Sequence, residues 1–94
     1  MDEEEKDFIK SQMERALTIY YKRNDQDERF CDKSDAMLFA RTLRGCGFNV
    51  KVCALQDKKL AESLDENILV ANLLYLLHRL QFRGINPRKI KDYL

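Results

Sequence analysis

An all-α fold is predicted for this 94-residue chain by three observations. Helix breakers are scarce: one Pro and three Gly, confined to Gly45, Gly47, Gly84 and Pro87. Long stretches between them carry apolar residues at helical spacing. The one long run near the C-terminal end is almost entirely apolar, as a helix buried on more than one side would be.

The first predicted helix runs from Glu3 to Lys22, with Ile9, Met13, Ala16 or Leu17, and Tyr20 on one face. Arg23 to Lys33 is strongly polar and reads as a loop, with Phe30 as its one large apolar residue. The second helix starts at Ser34 or Asp35, where the Ser34 hydroxyl can accept an orphan backbone N–H. Its stripe is Ala36, Phe39, Ala40 and Leu43, and Gly45 and Gly47 end it. The third predicted helix spans Lys51 to Ser63 with a poorer stripe of Cys53, Leu60 and Leu64; Asp65-Glu66-Asn67 then forms a polar break. The fourth spans Ile68 to Phe82, where Ile68, Leu69, Val70, Leu73, Leu74, Leu76, Leu77 and Leu80 cover more than half the circumference. A second buried side is hard to supply within so small a chain, so either this helix is central to the bundle or a partner covers it. Residues 1–82 are read as one domain and 83–94 as a basic C-terminal tail.

Hydrophobic residues make up 45% and charged residues 35%, with a net charge of +1, so no one-signed field draws the whole chain to nucleic acid or membrane. The start is acidic (Asp2, Glu3, Glu4, Glu5, Asp7) and the end basic (Arg79, Arg83, Arg88, Lys89, Lys91). These are either solvated ends or a contact surface for an acidic partner. No nucleic-acid reading motif accompanies the basic end. No run of about 18 apolar residues predicts a membrane span. The acidic start is unlike a secretory signal. Cys31, Cys46 and Cys53, odd in number, argue against a disulfide scaffold. A reducing compartment, cytosol or nucleus, is expected.

Chemistry-bearing patterns are sparse. His78 is the only histidine, and no third group marks a Cys–His nucleophile pair with Cys46 or Cys53. The cysteines lack the paired spacing of a zinc site. No Gly-rich phosphate loop is present. An enzyme is not expected.

The stretch Leu43-Arg44-Gly45-Cys46-Gly47-Phe48-Asn49, followed by Ala54-Leu55-Gln56-Asp57, resembles the linker between two hands in the calmodulin and myosin light chain family. Arg15 to Lys22 resembles the end of that family's first helix, and Ile68 to Leu77 the exiting helix of a second hand. The resemblance covers Ile9 to Leu80. It implies a single EF-hand-like lobe of two paired helix–loop–helix hands. The loops depart from the calcium pattern of alternating oxygen ligands, a central glycine and a terminal glutamate. The first offers Asp25, Asp27, Glu28, Asp32 and Asp35 but no glycine, with Leu38 where the glutamate belongs. The second is too short. No calcium and no other cofactor is expected.

The resemblance thus implies a calcium-independent, light-chain-like module. It would bind an amphipathic IQ-type helix in the neck of an unconventional myosin, which places it in the cytoplasm with the cytoskeleton. The groove would be lined by Met13, Met37, Phe39, Leu43, Leu73, Leu76, Leu77 and Leu80, with Glu62, Asp65 and Glu66 at its mouth facing basic residues of the target. The alternative is a small helical adaptor, self-associating through the fourth helix.

Overall fold

The computed structural model describes residues 1–24 and 27–94. Its order is α1 (Glu3–Met13), β1 (Ala16–Tyr21), α2 (Lys33–Gly45), β2 (Asn49–Ala54), a short 3₁₀ turn (Asp57–Lys59), α3 (Leu60–Phe82) and a 3₁₀ segment (Pro87–Tyr93). The two strands pair in parallel, with Ala16 opposite Asn49 and Tyr21 opposite Ala54. The fold is therefore mixed α/β, built on a β1–α2–β2 unit. The all-α expectation is overturned, and with it the lobe of two paired helix–loop–helix hands.

Two of the four expected helices give way to strand for one reason. The Leu17-Thr18-Ile19-Tyr20-Tyr21 run is rich in β-branched and aromatic residues, side chains that fit a pleated surface better than a helix. Leu17, Thr18 and Ile19 are all buried, so β1 is covered on both faces and shows no alternation. The first helix accordingly stops at Met13. The expected third helix begins instead as β2, with Val50 buried and Val52 half-buried, and the chain turns α-helical only at Leu60.

The polar Asp65-Glu66-Asn67 step, read as a break, lies inside the 23-residue α3. Two of its side chains serve the sheet instead. The Thr18 amide donates to Glu66 Oε1 at 3.4 Å, and Arg15 donates to both Glu66 carboxylate oxygens at 3.0 and 3.1 Å. Asn67 bonds both backbone groups of Tyr20. One edge of β1 is thereby closed by helix side chains, and its other edge by β2.

Local signals set the helix ends. Asp2 and Glu5 form a reciprocal capping box on α1. Asp32, not Ser34, caps α2 by accepting from the Asp35 amide at 2.9 Å. Both α2 and α3 end in the same motif. Phe48 N donates to Leu43 O and Gly47 N to Arg44 O; Ile85 N donates to Leu80 O and Gly84 N to Gln81 O. Gly47 and Gly84 take φ of 100° and 84°, the left-handed conformation that this ending requires.

The core joins Ile9 from α1, Leu17 and Ile19 from β1, and Ala36, Ala40 and Leu43 from α2 to Val70, Leu73, Leu77 and Leu80 from α3. Ile90 of the C-terminal 3₁₀ segment is fully buried in the same cluster, and Arg83 binds Glu5 at 2.8 Å, so residues 83–94 pack onto the body of the fold. Among the described residues, no helix is long and apolar enough to cross a membrane.

Candidate functional site

Helices α2 and α3 pack chiefly on the sheet, α2 on β2 and α3 on β1, rather than on each other. A cleft remains along the seam between them. Its central part, about 390 Å³, is lined by Leu38, Phe39, Thr42 and Cys46 of α2 and its cap, by Leu74, Leu77, His78 and Gln81 of α3, and by Pro87. Towards the start of α2 it continues, through Phe39 and Leu74, into a space of about 300 Å³ floored by Ile19 and Val70 and bordered by Arg29 and Cys31. At the opposite end it meets a polar space of about 300 Å³ lined by Arg41, Thr42, Gln81, Asn86 and Arg88.

The local sequence explains this shape. On α2, Ala36, Ala40 and Leu43 face the sheet, which turns Leu38 and Phe39 outward onto the cleft rim. Leu38 is 56% exposed and Phe39 38%. On α3, Leu73, Leu77 and Leu80 face the core, and Leu74 and His78 flank them on the cleft side. Large apolar side chains therefore border a concave surface, the usual setting for a binding site.

The expected lining residues separate into three groups. Phe39 and Leu77 do border the cleft. Leu43, Leu73 and Leu80 are fully buried in the core and offer no surface to a partner. Met13, Met37 and Leu76 lie elsewhere: Met13 and Leu76 pack half-buried around the core, and Met37 is exposed on α2 without reaching the cleft. Sequence reasoning misses Leu38, Leu74 and His78 as lining residues. Only the orientation of α2 and α3 on the sheet tells the core-facing leucines from the cleft-facing ones.

The electrostatics also differ from the expectation. Glu66 is occupied by Arg15 and the Thr18 amide and is not among the residues lining the cleft. The charged residues at the cleft's polar end are Arg41 and Arg88, and among the described residues no carboxylate lines that end. Burial raises the Cys46 thiol above its ordinary range, against a smaller lowering by Arg88, which leaves it poorly nucleophilic.

Of the acidic residues between Tyr21 and Ala36, Asp27 is held by Arg29, whose guanidinium lowers its carboxyl to about 2. Asp32 caps α2, and Asp25 lies outside the described residues. Among the described residues, no three His, Cys, Asp or Glu side chains cluster closely enough to hold a metal ion. Comparison of the chain with family models, with curated proteins and with solved structures finds no match in any of the three.

Proposed function

We propose that this chain is a non-catalytic binding module that docks an amphipathic helix of a partner protein in the α2/α3 cleft. The observation that carries the reading is the exposed apolar rim of Leu38 and Phe39 facing Leu74 and Leu77 across a concave surface. A helix presenting apolar residues at i, i+3 or i+4, and i+7 would cover that rim and remove it from water. Arg41 and Arg88 at one end favour a target with acidic residues beyond its apolar anchors.

An IQ-type helix is basic, and its cations would meet these two arginines. The myosin-neck target and the cytoskeletal location depend on paired hands, which a fold built on parallel strands does not have. We infer a reducing, cytoplasmic setting, which the odd number of cysteines in the sequence supports.

Titration of the ¹⁵N-labelled chain with two amphipathic peptides tests the proposal, one ending in acidic residues and one of IQ type. The acidic peptide should shift the amides of Leu38, Phe39, Thr42 and Leu74, with binding that weakens as salt rises and is lost in Leu38→Glu. Tighter binding of the IQ-type peptide would overturn the assigned charge preference. Saturable binding elsewhere, or none by either peptide, would overturn the cleft as the docking site.

A further inference from the structure

We infer that the outer face of α3 pairs with a second copy of this chain as an antiparallel two-helix contact. The face lies beside the cleft and shares only Ala71 and His78 with its edge. It carries Leu64, Ile68, Ala71, Tyr75, His78 and Phe82, spaced 4, 3, 4, 3 and 4 residues apart, which is the a/d pattern of a coiled-coil seam. Three of these are large and open to solvent: Ile68 is 49% exposed, Tyr75 64% and Phe82 81%. Helices of small soluble domains do not ordinarily leave such a row uncovered.

The occupant follows from size and charge. In an antiparallel pair each a residue faces a d residue of the other helix. The seam then closes on itself about a two-fold axis near Leu73. Leu64 lies against Phe82 of the second copy, Ile68 against His78, and the small Ala71 against the large Tyr75. The same register sets Asp65 beside Arg79 of the second copy, twice by symmetry, and Asn72 beside Asn72. Asp65 and Arg79 are both exposed, and neither has an ion-pair partner among the described residues; Arg79 rests on the Tyr75 ring at 5.9 Å. A parallel pair would stack Tyr75 on Tyr75 and hold Asp65 about 21 Å along the axis from Arg79, with no charge matched. A self-complementary patch of this kind is what a two-fold interface requires.

The contact spans about 27 Å of helix. It involves neither Leu38 nor Phe39, so its failure leaves the cleft proposal untouched.

Sedimentation equilibrium from micromolar to millimolar protein tests the pairing. The wild type should approach twice its 11.2 kDa monomer mass. Tyr75→Glu should raise the dimer dissociation constant about a hundredfold by placing a charge in the seam. Asp65→Arg should raise it by about fivefold or more, and adding Arg79→Asp should restore it. All three variants change exposed residues, so circular dichroism should show each of them folded. A wild type that stays monomeric at millimolar concentration overturns the proposal. So does a dimer indifferent to Tyr75→Glu, or one that the double charge reversal fails to restore.

Discussion

Asn67 and Tyr20 are joined by two hydrogen bonds, each 2.9 Å: the Tyr20 amide donates to Asn67 Oδ1, and Asn67 Nδ2 donates to the Tyr20 carbonyl. One carboxamide on α3 thus supplies what a neighbouring residue of a third strand would. A two-stranded sheet is marginal by itself, and its edges are its weak point. This pair fastens the long helix to the β1 edge.

Asn67→Ala strips two part-buried backbone groups of their partner and should cost about 2–3 kcal/mol, a fall in Tm of about 10 °C or more. Asn67→Asp should be at least as damaging at neutral pH, because a carboxylate oxygen then faces the Tyr20 carbonyl. Protonation restores a donor, so the Asp variant should gain on the Ala variant as the pH falls. Thermal melts of both across pH check this.

Ser63 is fully buried in the first turns of α3, and its hydroxyl has no hydrogen-bond partner among the described residues. A buried, unsatisfied hydroxyl costs about 1–3 kcal/mol. Ser63→Ala removes the polar atom with little change in volume and should stabilise the fold by about 1 kcal/mol. Urea melts should show a higher midpoint with an unchanged slope.

Gly47 and Gly84 end their helices in the same left-handed conformation, but their surroundings differ. A Cβ at Gly47 would lie 2.6 Å from Lys91 Cε, whereas one at Gly84 meets nothing within 4 Å. Both Gly→Ala changes should cost about 1–2 kcal/mol in backbone strain. The Lys91 contact is with the far end of a flexible chain, so the extra cost at Gly47 should be small. Lys91→Ala in the Gly47→Ala background measures it by a double-mutant cycle.

Glu5 ties the two ends of the fold together: its carboxylate accepts from Arg83 at 2.8 Å and from the Asp2 amide at 3.1 Å. The Arg83 hydrogen bond, then the Asp2 amide, hold its carboxyl below the ordinary value. A carboxyl lowered in the folded state contributes stability above its unfolded pKa and loses it as the pH falls through the folded pKa. Glu5→Gln should therefore melt below the wild type at neutral pH. The two curves should converge as the pH drops below about 4. The difference at neutral pH should be small, because the pair is partly exposed and screened by salt.

Short-range chemistry makes part of this architecture legible in the chain itself. The glycines after Leu43-Arg44 and after Phe82-Arg83 mark two helix ends because that signal acts within one turn, and the structure shows Asp2 and Glu5 capping α1 at the same short range. The apolar content of α3 is equally plain. The cleft is legible only in part: Phe39 and Leu77 sit on it, while Leu43, Leu73 and Leu80 belong to the core.

What tertiary structure alone decided is the class of fold. The periodicity of a short apolar run such as Leu17 to Tyr21 does not separate a buried strand from a buried helix, and its β-branched and aromatic content is only a local bias towards strand. Its choice depends on β2, 33 positions along the chain in register, and on Asn67, 47 residues away from Tyr20. The same partnership turns Asp65-Glu66-Asn67 from an apparent break into part of a continuous helix. Composition and spacing speak for contacts within a turn or two; the pairing of distant backbone groups is set only when the chain has closed on itself.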